Sequence, residues 1–374
     1  MVINLIEFGF EVSNVGNKRK SNEKKEINFI TFAPGFIECI MTLSQARELL
    51  TQELLQIDFE QLPISDYNKQ YIRKLKPALP YYMHIYALCI RRGLKETVSE
   101  SPDLAQLSLV DFGGGSGFLS LLAAKAGFGE VIYVDLNPRS VETIRVLKEV
   151  LGFGPTAILH GSSDTLVAWY REKKKKPSLL IATDLIEHVY DLPVFFRELA
   201  EVNGRMSMLF TTASTPFNPF VRRRLQRWMD ACETGSMEQP NYWTLRYDFI
   251  RQLCPNASEE EVGRWASLTR GLVFEDIRKV LDSGDFPPLP GKHNTCDPRS
   301  GNWMERILPL SAYRNLAEGI GYGLNVEKGF YNIDRKRKPV SFLCRLLNLF
   351  IRRSGKAGFL LAPFMVLIFK AKRM

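Results

Sequence analysis

The chain has 374 residues, of which 45% are hydrophobic, and this is enough to bury the core of one enlarged domain or of two domains. Its six cysteines include no Cys-x-x-Cys pair, which argues against a zinc knuckle or disulfide framework and predicts a reduced, cytoplasmic protein. The formal charge of +9 is local: residues 331–374 contain eleven Lys/Arg and one Asp, against 39 basic and 40 acidic side chains in the remainder. This is not the general basic coating of a nucleic-acid enzyme, so we expect no nucleic-acid partner.

The N-terminal part predicts an extension followed by cap helices. Residues 1–42 show no clear period, and the start of the chain has no leading positive charge, so it does not predict a signal peptide. From 43 to 99 the apolar spacing is helical. Tyr81, Tyr82 and His84 could contact a ligand there, although an aromatic stripe of this kind is more often core.

A glycine-rich turn between a predicted strand and a predicted helix is the most informative segment. The strand ends at Asp111, and glycines follow at alternate positions, Gly113, Gly115 and Gly117. A helix is predicted over 118–125. Such a turn brings backbone N–H groups close to a ligand.

The sequence of this turn has two other interpretations. A dinucleotide-binding Gly-x-Gly-x-x-Gly loop would need its third glycine where the sequence has Phe118 or Ser120. Asp111 also adds negative charge where a pyrophosphate would lie, and suits a cationic ligand better. A plain glycine-rich βα turn is the other alternative.

The next strand, Glu130–Asp135, ends in an acid about twenty residues beyond the loop, as a βαβ unit requires. A carboxylate at this tip can accept hydrogen bonds from both ribose hydroxyls of an adenosine. Asn137 and Pro138 predict a helix start, as N-cap and first helical residue. The predicted buried stripe of that helix is Val141, Ile144, Leu147, Val150 and Leu151.

Three more strands follow with polar residues at their ends. Residues 157–164 predict a strand and a small polar turn containing Ser163 and Asp164, and residues 178–189 predict a buried strand that runs into Asp184-Leu-Ile-Glu-His-Val. Residues 205–213 predict the fifth strand. The polar segments thus follow successive strands at their carboxyl ends, where open α/β sheets bind ligands.

These segments resemble class I S-adenosylmethionine (SAM) dependent methyltransferases. The spacing Asp-x-Gly-x-Gly-x-Gly from Asp111 resembles their motif I, and the segment from Asp184 resembles motif IV of small-molecule O-methyltransferases of the ubiquinone-biosynthesis type. The resemblance covers 104–214 and, by topology, 311–374. It implies an α/β fold with a Rossmann-like, doubly wound, seven-stranded sheet whose last strand is antiparallel, with N-terminal helices and a mostly helical insertion after strand five.

The resemblance also implies SAM as cofactor and a set of site residues. In the family, the residue matching Asp164 recognises the adenine amino group. The expected cofactor-binding residues are Asp111, Gly113, Gly115, Gly117, Asp135, Leu136, Ser163, Asp164, Asp184 and Leu185. His188 is the candidate catalytic base, with a structural role capping the helix after the strand as the alternative. Asp184, Glu187 and His188 are weak metal candidates, and we expect no essential metal.

The predicted organisation has four parts. These are an N-terminal extension with cap helices (1–100), a SAM-binding core (101–214), a helical substrate-recognition insertion (215–310) and a C-terminal completion of the sheet (311–374). Within the insertion, 221–232 and 259–281 are predicted as helices. The polar segment 292–304 is either functional or a capped turn.

The C-terminal part predicts strand six over 324–331 and strand seven over 360–369. Between them, residues 340–353 predict a basic amphipathic helix. Such a helix either lies on an anionic membrane surface, with peripheral contact through 340–356, or packs on the protein with its basic residues outward. The second arrangement is the more ordinary one, and we expect it.

The predicted function is SAM-dependent methyl transfer to a small hydrophobic or lipid-like acceptor, most simply to a hydroxyl. One alternative is a nucleic-acid or protein methyltransferase. Base N-methylation is disfavoured because the segment from Asp184 lacks the Asn/Asp-Pro-Pro-aromatic pattern. A non-catalytic SAM-binding scaffold is the other alternative, and it would have no need for an intact glycine loop with acids at both strand tips.

Overall fold

The computed structural model describes residues 42–97, 103–235 and 241–372, so the predictions for 1–41 lie outside the described residues. One sheet organises the described chain. Its seven strands are β1 Ser108–Phe112, β2 Glu130–Asp135, β3 Ala157–His160, β4 Leu179–Thr183, β5 Ser207–Thr212, β6 Tyr322–Lys328 and β7 Met365–Ala371. The spatial order is β3-β2-β1-β4-β5-β7-β6. The first five strands are parallel, and β7 is antiparallel to both β5 and β6, which confirms the predicted fold.

Helices cover both faces of this sheet. Those before β6 are α1 Leu43–Gln56, α2 Asp66–Leu75, α3 Leu79–Thr97, α4 Phe118–Lys125, α5 Pro138–Leu151, α6 Ser163–Lys173, α7 Leu192–Val202, α8 Pro219–Thr234, α9 Tyr242–Leu253, α10 Glu259–Leu268, α11 Phe274–Ser283 and α12 Leu310–Gly319. The last helix, α13 Lys338–Arg353, lies between β6 and β7 in the chain.

Each face of the sheet has its own hydrophobic core. One core joins the sheet to α1, α3, α4 and α5, and the other joins it to α6, α7 and α12. Every residue of β1 is buried, as expected for a central parallel strand covered on both sides. In the second core, the ring of Phe196 lies 5.4 Å from Phe210 and 4.7 Å from Phe369, so α7, β5 and β7 are packed together.

The predicted start of α5 is confirmed. The side chain of Asn137 accepts a hydrogen bond from the backbone N–H of Arg139, and Pro138 is the first helical residue. The predicted buried stripe is wrong at Val150, which is 50% exposed because nine residues of helix place it on the side opposite Val141, whereas Leu151 in the same turn packs against the core.

The insertion after β5 is helical, as predicted, and has two small cores of its own, one beside α8 and one among α9, α10 and α11. The prediction of one helix over 259–281 is wrong. The chain breaks between α10 and α11 at Gly271, whose φ of +87° is incompatible with a continuing right-handed helix. The fourfold division of the chain at 100, 214 and 310 stays a prediction.

The C-terminal strands lie within a few residues of their predicted positions. The expectation that the amphipathic helix packs its apolar side on the protein is wrong. Only Cys344 and Ile351 of α13 are buried, whereas Phe342 is 62% exposed and Phe350 is 49% exposed. None of the described helices is long and apolar enough to cross a bilayer.

Candidate functional site

The glycine loop has a backbone that only glycine adopts readily. Gly113, Gly115 and Gly117 have φ values of +68°, +54° and +75°. A Cβ on Gly113 would lie 2.3 Å from Cδ1 of Leu185, and one on Gly117 would lie 2.2 Å from Cδ1 of Ile144. Glycine is therefore needed for conformation at all three positions and for close packing at two of them.

Asp135 stands at the tip of β2, directly beside this loop. Its Oδ2 accepts a hydrogen bond from the backbone N–H of Gly115 at 2.8 Å, and its Oδ1 accepts one from Asn137 at 2.7 Å. Burial raises the pKa of Asp135, whereas these two backbone donors lower it. The next residue, Leu136, is 71% exposed.

Asp111 lies beneath the loop. It is 1% exposed, and its Oδ2 accepts hydrogen bonds from both the backbone N–H and the hydroxyl of Ser120. Burial raises the pKa of this carboxyl to about 7. Asp111 is not one of the residues that line the cavity at the loop. These hydrogen bonds fix the loop to α4, and the contact of Asp111 with a cationic ligand stays a prediction.

A small cavity of about 70 Å³ lies over the loop, between Asp184 and tyrosines of the N-terminal helices. The tyrosines are Tyr71, Tyr82 and Tyr86. Tyr82 is one of the candidate ligand contacts predicted from the sequence, whereas Tyr71 and Tyr86 are not. The only sequence signal for these two is an aromatic side chain on a predicted cap helix. A cavity of this size is far below the several hundred Å³ typical of nucleoside pockets. The cavity as it stands has room for only part of a SAM-sized ligand.

Asp184 follows β4 in a strained conformation. Its φ is +50°, which is uncommon for a residue other than glycine. Its backbone N–H donates to the carbonyl oxygen of Thr211 on β5, and burial raises the pKa of its carboxyl to about 6. Strain of this kind is concentrated at functional sites. Asp184, Leu185 and the glycine loop are brought together, as the sequence predicted.

The two candidate residues in the turn after β3, Ser163 and Asp164, differ in their exposure. Asp164 is exposed, and its Oδ1 accepts hydrogen bonds from Ser162 and Thr165, which lower its pKa. Ser163 is buried and donates its hydroxyl to Glu198 on α7. Asp164 is therefore open to a ligand, whereas the Ser163 hydroxyl is already committed to the protein.

His188 is held by the insertion. Its Nδ1 lies 2.7 Å from the carbonyl oxygen of Trp303, which can only accept, so Nδ1 carries the proton of the neutral ring. Nε2 then presents its lone pair, 3.5 Å from Oε1 of Glu305. The side chain is 14% exposed, and burial lowers the pKa of the imidazole to about 4. The ring is therefore neutral at physiological pH, and it does not line the glycine-loop cavity.

Two buried carboxyl groups complete this cluster. Oε1 of Glu187 accepts from the Thr212 hydroxyl, and Oε2 of Glu305 accepts from the Ser214 hydroxyl, both at 2.8 Å. The second oxygen of each carboxyl has no hydrogen-bond partner. Burial raises the pKa of Glu305 to about 8 and that of Glu187 well above its usual value.

Ligand atoms of Glu187, His188 and Glu305 all lie within 4.8 Å of one another, so the cluster is geometrically able to hold a divalent cation. Its oxygens could equally be neutralised by protons, as the raised pKa values indicate. Asp184, from the predicted metal set, lies at the glycine-loop cavity, and Glu305 stands in its place. Glu305, at a φ of +52°, was missed because it lies in the insertion, one position beyond the polar segment 292–304.

A family model described as a methyltransferase domain matches residues 73–257. A curated relative, the ribosomal protein L11 methyltransferase of Tolumonas auensis, is 30% identical over 112 residues. That match covers 29% of this chain and 35% of the relative, so the chain matches about a third of the relative's length.

The solved structures that match this chain do so with low TM-scores and low sequence identity. The YcgJ protein from Bacillus subtilis matches with a TM-score of 0.39 at 12% identity, over 78% of this chain and 99% of that one. A SAM-dependent methyltransferase from Agrobacterium tumefaciens matches with a TM-score of 0.27 at 16% identity, over 35% of this chain and 44% of that one. Similarity this low carries no information on substrate.

The family match begins within the cap helices, continues through all five parallel strands and ends in the insertion, and thus includes every strand-end loop described above. Residues 73–257 therefore match a methyltransferase domain, and the matched part contains the glycine loop, Asp135 and Asp184.

Proposed function

We propose that this chain transfers the methyl group of SAM to a hydroxyl of a small, hydrophobic or lipid-like acceptor. The observation that carries the proposal is the meeting of the glycine loop, Asp135 and Asp184 at the carboxyl edge of one sheet. The adenosine would lie over Leu136 with its ribose on Asp135 and Asp164 nearby. The methionine end would enter the cavity at Gly113 and Asp184.

His188 is the proposed base. SAM bound at the loop would supply the methyl group and would leave as a neutral thioether once the acceptor oxygen has replaced its sulfur on the methyl carbon. Nε2 of His188 would take the proton of the acceptor hydroxyl. A neutral imidazole with a free Nε2 lone pair supports this role. Its contacts with Trp303 and Glu305 equally support a structural role, and turnover measurements distinguish the two.

The apolar character of the acceptor is proposed from the C-terminal region. Residues 340–356 combine exposed apolar side chains with basic ones, which favours peripheral contact with an anionic membrane surface. A hydrophobic acceptor would be met at such a surface.

A protein acceptor is the second candidate. The observation that favours it is the 30% identity, over 112 residues, to a ribosomal protein L11 methyltransferase. Ribosomal protein and a membrane-lipid extract, each incubated with methyl-labelled SAM, would separate the two acceptor classes.

Calorimetric titration with SAM and, separately, with NAD tests the cofactor assignment. Micromolar binding of SAM with no binding of NAD is the expected result. Binding of NAD alone would show that the glycine loop is a dinucleotide site, and binding of neither would favour a fold retained without catalysis.

A further inference from the structure

Helix α13 exposes an apolar surface to solvent. The exposed residues, called here the α13 face, are Val340, Phe342, Leu343, Leu346, Leu349 and Phe350. Scattered single apolar residues are normal on a protein surface, but six on one helix form a patch that excludes water poorly. The buried residues of this helix are Cys344 and Ile351, whereas the side chains of the α13 face are 38% to 62% exposed.

Positive charge surrounds the α13 face. Residues 335–356 contain eight Lys/Arg and no acidic residue, and no acidic residue follows up to Lys372. Within this stretch, Arg345, Arg352 and Arg353 are exposed and form no ion pair with a described residue. A basic border around exposed aromatic and leucine side chains is the composition of helices that lie in the headgroup region of anionic bilayers.

A large groove opens beside the α13 face. It has a volume of about 1240 Å³ and lies between α1, α3, the end of β6 and α13. Its apolar lining includes Leu88, Phe330, Leu346, Leu349 and Phe359. Leu346 and Leu349 belong to both the groove and the α13 face, so the two surfaces are continuous.

The rim of the groove is cationic. Its lining includes three acids: Glu48 is paired with Arg47 at 2.9 Å, Glu327 is paired with Arg92 at 3.0 Å, and the third is Asp334. Arg91, Arg345 and Arg352 also line it. These arginines leave a net positive charge at the mouth of an apolar groove, which suits an occupant with an anionic head and an apolar tail.

Charge also decides between possible occupants. The N-terminal residues 1–41 carry five basic and five acidic side chains, so they offer no complementary charge. A second copy would bring an equally cationic face against this one, which is repulsive. An anionic lipid complements both the charge and the apolar surface.

We propose that the α13 face and the adjoining groove form one binding site for an anionic phospholipid of a membrane. The α13 face lies in the headgroup region, Arg345 and Arg352 bind the phosphate, and the groove takes an acyl chain. This site is separate from the cofactor loop, since Phe330 packs against Phe364 between the groove and the glycine-loop cavity, and it does not depend on methyl transfer.

Flotation of the full chain with vesicles tests the proposal. Vesicles of phosphatidylcholine alone are compared with vesicles that also contain phosphatidylglycerol. We expect binding only to the anionic vesicles. The double variant Phe342→Ser/Phe350→Ser should bind anionic vesicles at least about ten-fold more weakly, because neither aromatic ring would remain to enter the bilayer. Phe220→Ser, at an exposed aromatic residue of α8, is the matched control and should bind like the wild type.

A second measurement examines the groove. Leu349→Trp fills it while keeping an apolar side chain at the membrane interface, so this variant should still float with anionic vesicles. It should lose calorimetric binding of a short-chain phosphatidylglycerol that is kept below its micelle concentration. Thermal melting of each variant shows that the chain is folded.

Three outcomes would overturn the proposal. The first is equal binding to both kinds of vesicle, or to neither. The second is unchanged flotation of Phe342→Ser/Phe350→Ser, which would leave only non-specific charge attraction. The third is a dimer in sedimentation equilibrium that Phe342→Ser/Phe350→Ser dissociates, which would make the α13 face an interface between copies of the chain.

Discussion

Asp111 and Ser120 are joined by two hydrogen bonds to a single carboxylate oxygen, at 2.9 Å from the backbone nitrogen and 2.7 Å from the hydroxyl. The pair connects the end of β1 to the first turn of α4 across the glycine loop. Because Asp111 is 1% exposed, burial disfavours its ionised carboxylate, although these two donors stabilise it.

The first prediction concerns the pH dependence of folding stability. Burial raises the pKa of Asp111 to about 7 from its usual 3.8, so the folded state holds a proton that the unfolded state has lost. The contribution of Asp111 to stability is full below pH 4 and is lost as the pH rises through 7. The amide of Asp111→Asn still offers Ser120 an acceptor oxygen. Because an amide does not titrate, its contribution to stability does not fall as the pH rises. The stability of this variant relative to the wild type should therefore improve, by roughly 2 kcal/mol or more, between pH 4 and pH 8.

Urea unfolding of both proteins at several pH values between 4 and 8 measures this difference. Glu142→Gln, at an exposed acid on α5, should show no such trend. A constant difference between Asp111→Asn and the wild type across the range would mean that Asp111 titrates near its ordinary pKa.

The second prediction concerns the cofactor. Asp135→Ala removes the acceptor proposed for the ribose hydroxyls and the partner of the Gly115 N–H. SAM affinity should fall by about 10- to 100-fold, the scale of lost hydrogen bonds to a charged group. Calorimetry on Asp135→Ala and on the control Glu142→Ala measures this effect. Equal affinities in Asp135→Ala and the wild type would remove Asp135 from the site.

The third prediction concerns His188. His188→Ala should lower turnover by about 100-fold if the imidazole takes the acceptor's proton, while SAM affinity stays within about two-fold. His293→Ala is the control, since this histidine is paired with Asp230 within the insertion. Equal losses of turnover and SAM affinity would assign His188 to holding Trp303 in place.

The sheet, the glycine loop and the strand-tip acids are predictable from the sequence, because they depend on local spacing. Gly117 and Asp135, for example, are each fixed by a turn between neighbouring elements. Glu305 was not predictable, since it reaches His188 from a position 117 residues further along the chain, through the fold of the insertion. The exposure of Phe342 was likewise hidden, because an amphipathic pattern predicts a helix without showing what its apolar side meets.

The fourth prediction concerns metal. Protonated carboxyls at Glu187 and Glu305 beside a neutral His188 need no cation to balance charge, as their raised and lowered pKa values indicate. Treatment with EDTA should therefore leave turnover unchanged. Complete loss of turnover on EDTA treatment, with recovery on adding magnesium, would show that these three side chains hold an essential ion.

The fifth prediction separates backbone strain from crowding at the glycine loop. Gly117→Ala places a Cβ 2.2 Å from Cδ1 of Ile144 at a φ of +75°, whereas Gly127→Ala meets open space at a φ of +93°. Gly127→Ala should therefore cost about 1 to 2 kcal/mol from backbone strain alone. Gly117→Ala should cost a further 1 to 3 kcal/mol or so from crowding.

Urea unfolding of the two single variants measures both costs. The double variant Gly117→Ala/Ile144→Val removes the methyl group that the new Cβ would strike. It should therefore recover part of the loss, relative to the sum of its single variants. Equal stabilities of Gly117→Ala and Gly127→Ala, with no recovery in the double variant, would mean that α5 shifts freely away from the loop and that Ile144 does not constrain it.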